Sequence, residues 1–178
     1  QEQKFEEHIA LAFKALEKGQ AKDARSRYLE AKKVDPERKE LAVLSGQLLA
    51  LETSLRVETA VEQASQAVQR DDWQQAQMHF AAAINEVSHN TIAIEGKKRA
   101  DLVVSLQNRL NSFISDPYRL ADGDVRGQAT KTLSEAGPAL TYSFGLKKQA
   151  QELQDLIEKM DRRVPVIIES DNTTYVLV

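Results

Sequence analysis

The 178 residues carry 24 Lys and Arg against 27 Asp and Glu, a formal net charge of −3, with 42% hydrophobic and 29% charged side chains. That balance excludes a disordered chain and gives no electrostatic footprint for nucleic acid or an anionic membrane surface. The absence of cysteine excludes a disulfide scaffold, a thiolate zinc site and a cysteine nucleophile, and no stretch approaches the ~20 apolar residues of a membrane span.

Four prolines and seven glycines cut the chain into pieces of helical length. Phe5, Ile9, Ala12, Phe13 and Leu16 recur at intervals of three and four and predict a helix that Gly19 ends. Ala21, Ala24, Tyr28 and Ala31 line a second helix, stopped at Asp35-Pro36, and the pair reads as an αα-hairpin. Residues 37–70 contain no proline and one glycine, Gly46, and read as a single helix of roughly 50 Å. Its leucines, Leu41, Leu44, Leu48, Leu51 and Leu55, predict a stripe that continues through Val57, Val61, Ala64 and Val68. This is a core seam rather than a dimerisation zipper, because Glu58 and Glu62 interrupt it after about two heptads.

Asp71-Asp72 breaks that helix, and Trp73, Ala76, Phe80, Ala83 and Val87 form the face of the next. Leu102 or Val103, with Leu106, Leu110 and Phe113, marks a helix ended by Asp116-Pro117. Val125, Ala129, Leu133 and Ala136 mark a shorter one before Gly137-Pro138, and a last helix from near Ala139 carries Leu146, Ala150, Leu153, Ile157 and Met160. The period then changes. Val164-Pro165-Val166-Ile167-Ile168 and Thr174-Tyr175-Val176-Leu177-Val178 are strand-like, with turn chemistry in Ser170-Asp171-Asn172 between them. The expected organisation is an α-helical domain over 1–163 and the start of a β-module over 164–178. A start at Gln1 and an apolar finish at Tyr175-Val176-Leu177-Val178 are read as a piece of a longer protein.

A fixed pattern recurs in the two hairpins: Gly19-x4-Ala24-x3-Tyr28-x2-Ala31-x4-Pro36, then Trp73-x2-Ala76-x3-Phe80-x2-Ala83. The alanines let helix backbones approach, and Tyr28 and Phe80 fill the space between successive hairpins. The pattern resembles the tetratricopeptide repeat. His8, Ala12 and Ala15 stand where that family has an aromatic and a glycine, and Ser88 stands in place of the second closing proline. Ala24 and Ala76 lie 52 residues apart, against about 34 in a tandem array, and the surplus of about 18 residues makes roughly five helical turns. The resemblance implies an all-α, right-handed stack of antiparallel hairpins with one elongated helix, followed by a short β-hairpin or strand pair. It also implies a ligand groove lined by Glu6, Ile9, Phe13 and Glu17, with Ile9 and Phe13 as apolar anchors unless the long helix buries them. A helical region followed by Val164-Pro165-Val166-Ile167-Ile168-Glu169-Ser170-Asp171 resembles the approach to the small β-modules called PEGA domains. That implies a periplasmic or envelope-associated location in bacteria, with the cytoplasm as the alternative.

Motifs for chemistry are sparse. His8, His79 and His89 form no His-x3-His pair, and no Walker loop or nucleophile elbow occurs. Gly123 and Gly127 follow no strand and mark a turn and a helix start; Glu6-Glu7 and Asp71-Asp72 fall at helix ends. Lys97-Lys98-Arg99, the densest basic run, is placed near a helix start and read as a solvated face. The expectation is therefore a non-catalytic protein-protein interaction module of a larger, envelope-associated protein, with a protein or peptide partner and no cofactor, metal, nucleic acid or direct membrane insertion. The alternative is a structural spacer or self-associating platform, forming a homo-oligomer through the C-terminal strands.

Overall fold

The computed structural model describes residues 1–161, which form seven α-helices and two short 3₁₀ turns, with no strand among the described residues. The all-α expectation holds for those residues, and the β-hairpin expected over 164–178 lies outside them. The chain divides into two compact units, residues 1–101 and residues 102 onward, with the boundary inside the fifth helix.

The first unit contains α1 (Glu2–Glu17), α2 (Ala21–Val34), α3 (Glu40–Gln69), α4 (Trp73–Glu86) and the start of α5 (Thr91–Ile114). The turn from α1 to α2 is set by Gly19, whose φ is +70°. Its N–H donates to the Leu16 carbonyl and that of Gln20 to the Ala15 carbonyl, both at 2.9 Å, which closes the last orphan carbonyls of α1 in a Schellman turn. The same turn recurs 52 residues later. Asp71 adopts φ +60°, its N–H donates to Val68 and that of Asp72 to Ala67, again both at 2.9 Å. A non-glycine residue is costly there, and Asp71 is held by accepting a 2.7 Å hydrogen bond from Trp73 Nε1. Asp72 then caps α4 by accepting from the Gln75 N–H at 3.1 Å.

The offset of 52 extends beyond the turn. α2 and α4 have the same length, Ala24, Ala31, Ala76 and Ala83 are all fully buried, and both helices end on an extended residue, Asp35 and Val87. Phe80 is buried and Tyr28 half-buried, whereas Pro36 lies exposed in the turn before α3. Likewise Phe5, Ala12 and Ala15 of α1 correspond to Val57, Ala64 and Ala67 of α3, all buried. The last 16 residues of α3 thus repeat α1, and Glu40–Thr53 is an extension preceding them.

The expected continuous leucine seam along α3 is not what forms. Leu41, Leu44 and Leu48 are buried, but Leu51 is half-buried and Leu55 is 37% exposed; burial resumes at Val57, Ala60, Ala64 and Ala67. At 100° per residue the two buried sets point roughly 150° apart. The physical reason is that two different partners claim the two halves. Leu41 and Leu44 close the core of Phe5, Ile9, Ala12 and Ala31, and Leu48 joins Ala15 and Ala24, while α4 packs on α3. Arg25 ties α2 to the extension through a two-pronged ion pair with Glu52, at 2.6 and 2.5 Å.

In the second unit the end of α5, the turn Pro117–Ala121, α6 (Gly123–Ala136), the turn Gly137–Ala139 and α7 (Phe144–Asp161) surround a core of Leu106, Leu110, Leu120, Ala129, Leu146 and Leu153. The last helix starts at Phe144 rather than near Ala139, because the Gly137-Pro138 sequence takes up a 3₁₀ turn and the helix is capped from Ser143. Ser143 is 2% exposed, and its Oγ accepts from the Leu146 N–H at 3.0 Å. Buried Thr132 donates to the Gln128 carbonyl and accepts from Arg109, which also pairs with Glu135 at 2.6 Å.

Candidate interaction surface

The four groove residues named from the sequence lie on α1, but the structure separates their roles. Ile9 is 7% exposed and belongs to the core with Leu41 and Leu44. Glu6 is exposed and pairs with Arg38 at 2.8 Å; the same guanidinium lies over the Phe5 ring, 4.7 Å from its centre. Phe13 and Glu17 are brought together. With Leu16 they form one wall of a cleft of about 450 Å³ whose other wall is Gln47 and Leu51 of α3. Phe13 and Leu16 are half-buried against the core, Leu51 is half-buried, and Glu17 and Gln47 are exposed at the rim. An apolar floor with one carboxylate and one amide at its edge suits an apolar anchor side chain beside a cation or amide donor.

The Leu16, Gln47 and Leu51 contributions were not among the groove residues named from sequence. Leu16 lies one turn from Phe13 on the apolar stripe, so spacing alone could have found it. Gln47 and Leu51 come from the α3 extension, whose rotation about its own axis is set by the hairpin it covers.

Of the basic run, Lys97 serves the fold. Lys97 lies near the start of α5, in its second turn, and donates to Asp101 at 2.7 Å; Gln77 of α4 donates to the other Asp101 oxygen at 2.6 Å. Burial of Asp101 opposes its ionisation, but these two hydrogen bonds and the Lys97 charge outweigh it and hold the carboxyl below its ordinary range. The Glu52 carboxyl is likewise lowered, first by its hydrogen bond from Arg25, against a smaller opposing effect of burial. Among the described residues no group of three or more His, Asp or Glu side chains converges as a metal site would require. No helix among them is long and apolar enough to cross a membrane. No protein-family model matches the chain, and comparison with curated proteins and with solved structures found no match.

Proposed function

We propose that the chain is a non-catalytic protein-interaction module of tetratricopeptide-like construction, and that the cleft between α1 and α3 receives a peptide segment of its partner. The observation that carries this is the meeting of Phe13 and Glu17 with Gln47 and Leu51 in one cleft, with first-helix residues as one wall. The partner segment presents an apolar side chain to Phe13, Leu16 and Leu51 and a basic residue to Glu17. The strand-like sequence after residue 163 supports a place within a longer, envelope-associated protein in which this helical region precedes a β-module. The length of α3, about 45 Å for its 30 residues, favours a spacer role as a second reading.

Panning a displayed random-peptide library against the full chain tests the first reading. Enriched peptides should pair an apolar residue with a Lys or Arg, and should bind Leu51→Glu and Glu17→Lys proteins at least tenfold more weakly. Enriched peptides that bind both variants as well as the parent would remove the cleft as the site, and an unenriched library would leave the spacer role as the better account.

A further inference from the structure

The face of α3 that carries α4 along its last 16 residues continues, uncovered, along the extension. By helical phase Thr53, Ala50, Leu49, Gly46, Val43 and Ala42 prolong the line of Val57, Ala60 and Ala64. Val43 is 57% and Leu49 60% exposed, and Ala42, Gly46 and Ala50 are exposed with them. No charged residue occurs between Glu40 and Glu52. Where α4 stops, a hollow of about 600 Å³ opens along this face, lined by Gly46, Leu49, Thr53, Val57 and Val87 among others. The hairpin core covers the opposite side of the extension, so the bare face is not a consequence of a missing core.

We propose that this face is a self-association surface, on which α3 of a second copy lies antiparallel and continues the row that α4 begins. Three observations select a second copy over another occupant. The first is self-complementarity. A two-fold axis at Gly46 sets Val43 against Leu49 and Ala42 against Ala50 of the second copy, apolar on apolar, with the glycine at the closest approach and no charge buried. The second is the match of the ends. An α3 antiparallel to the first runs in the same direction as α4, so its N-terminus meets the C-terminus of α4. The helix dipoles then stand head to tail, and exposed Lys39 of the second copy approaches the carbonyl end of α4 at Glu86 and Val87. This chain supplies Lys39 in register and in phase with the apolar row, whereas Glu40 of the same first turn is rotated about 100° from it and Glu86 is already paired with Arg56. The third is area. An overlap of about 22 Å between two helices buries on the order of 1,000 Å² in total, the low end for specific association, so the dimer is weak and concentration-dependent.

Sedimentation of the full chain from about 1 to 500 µM should show a reversible dimer at the upper end. Leu49→Glu and Val43→Glu, both at exposed positions, should keep the parent's circular dichroism and raise the dissociation constant at least tenfold. In this cysteine-free chain, Gly46→Cys should give a disulfide-linked dimer under mild oxidation, and Glu58→Cys, off the face, should not. If one glutamate variant fails to fold, the other and the cross-link decide. A monomer throughout the range overturns the proposal. So does association that both glutamate variants leave intact, which would move the contact to another surface such as residues 162–178, or cross-linking as efficient from position 58 as from position 46.

Discussion

Replacing Gly96 by alanine places a methyl carbon 2.3 Å from Cζ, 2.4 Å from Cε1 and 2.7 Å from Cε2 of Phe80. Carbon atoms in contact sit about 3.5–4.0 Å apart, so the ring must retreat by more than about 1 Å. Phe80 is 6% exposed and shares its helix with fully buried Ala76 and Ala83, which leaves it little room. Overpacking of this kind costs about 1–3 kcal/mol, against which removing a mid-helix glycine returns about 0.5–1 kcal/mol. The expected net loss is about 1–2 kcal/mol. Gly46→Ala is the internal control, because an added Cβ there meets nothing within 4 Å. The same substitution should then stabilise by about 0.5–1 kcal/mol, measured at low micromolar concentration where no dimer forms. Urea unfolding followed by the fluorescence of Trp73 suits both, since it is the single tryptophan and lies buried in the first unit. Phe80→Leu should reduce the cost of Gly96→Ala, a coupling of at least about 0.5 kcal/mol in a double-mutant cycle. A Gly96→Ala protein as stable as the parent, or costs that simply add, would refute the ring-on-glycine contact as the reason for this glycine.

Gly19→Ala should destabilise the first unit by about 1–2 kcal/mol through backbone strain alone, because φ is +70° and the space around it is open; Trp73 fluorescence in urea reads the loss. Ser143→Ala should lower the stability of the second unit by about 1–2 kcal/mol, since it leaves the Leu146 N–H without its cap, and amide exchange over α7 measures it. Glu52→Gln should alter the pH dependence of unfolding in one direction. The folded carboxyl titrates below the ordinary glutamate value of about 4.3, so its contribution is complete above that value and is lost as pH falls through the lowered one. The parent and variant melting curves should therefore differ by a constant amount above about pH 5 and converge in more acidic solution.

How far the sequence reveals this fold depends on whether a feature is local. The apolar intervals of three and four locate the helices, and Gly19 announces its own turn, because both follow from the geometry of one chain segment. The matching turn at Asp71 is hidden, since aspartate marks helix ends for several reasons and the Trp73 hydrogen bond that steadies its left-handed backbone cannot be read from spacing. Gly96 is hidden for a related reason. A glycine inside a helix reads as lost propensity until the ring of Phe80 is found against it. Phe13 and Glu17 of the cleft are legible from their first-helix positions, whereas Gln47 and Leu51 depend on how α3 is rotated, which its own period does not specify.

That rotation also explains what the extension of α3 does. The hairpin of α1 and α2 has an apolar stripe, Phe5, Ile9 and Ala12, that two helices alone leave wet, and Leu41, Leu44 and Leu48 are what cover it. A helix that dries one neighbour with one face and receives α4 on another must leave part of each face open where the neighbour ends. Along the extension the open part is Val43, Gly46 and Leu49 rather than a charged row, although nothing in hairpin packing requires apolar residues there. A purely monomeric helix would carry Lys or Glu at such positions at no cost to its core. The apolar composition of that outward face is therefore a feature that hairpin packing does not require, and it is the feature on which the proposed pairing of two copies rests.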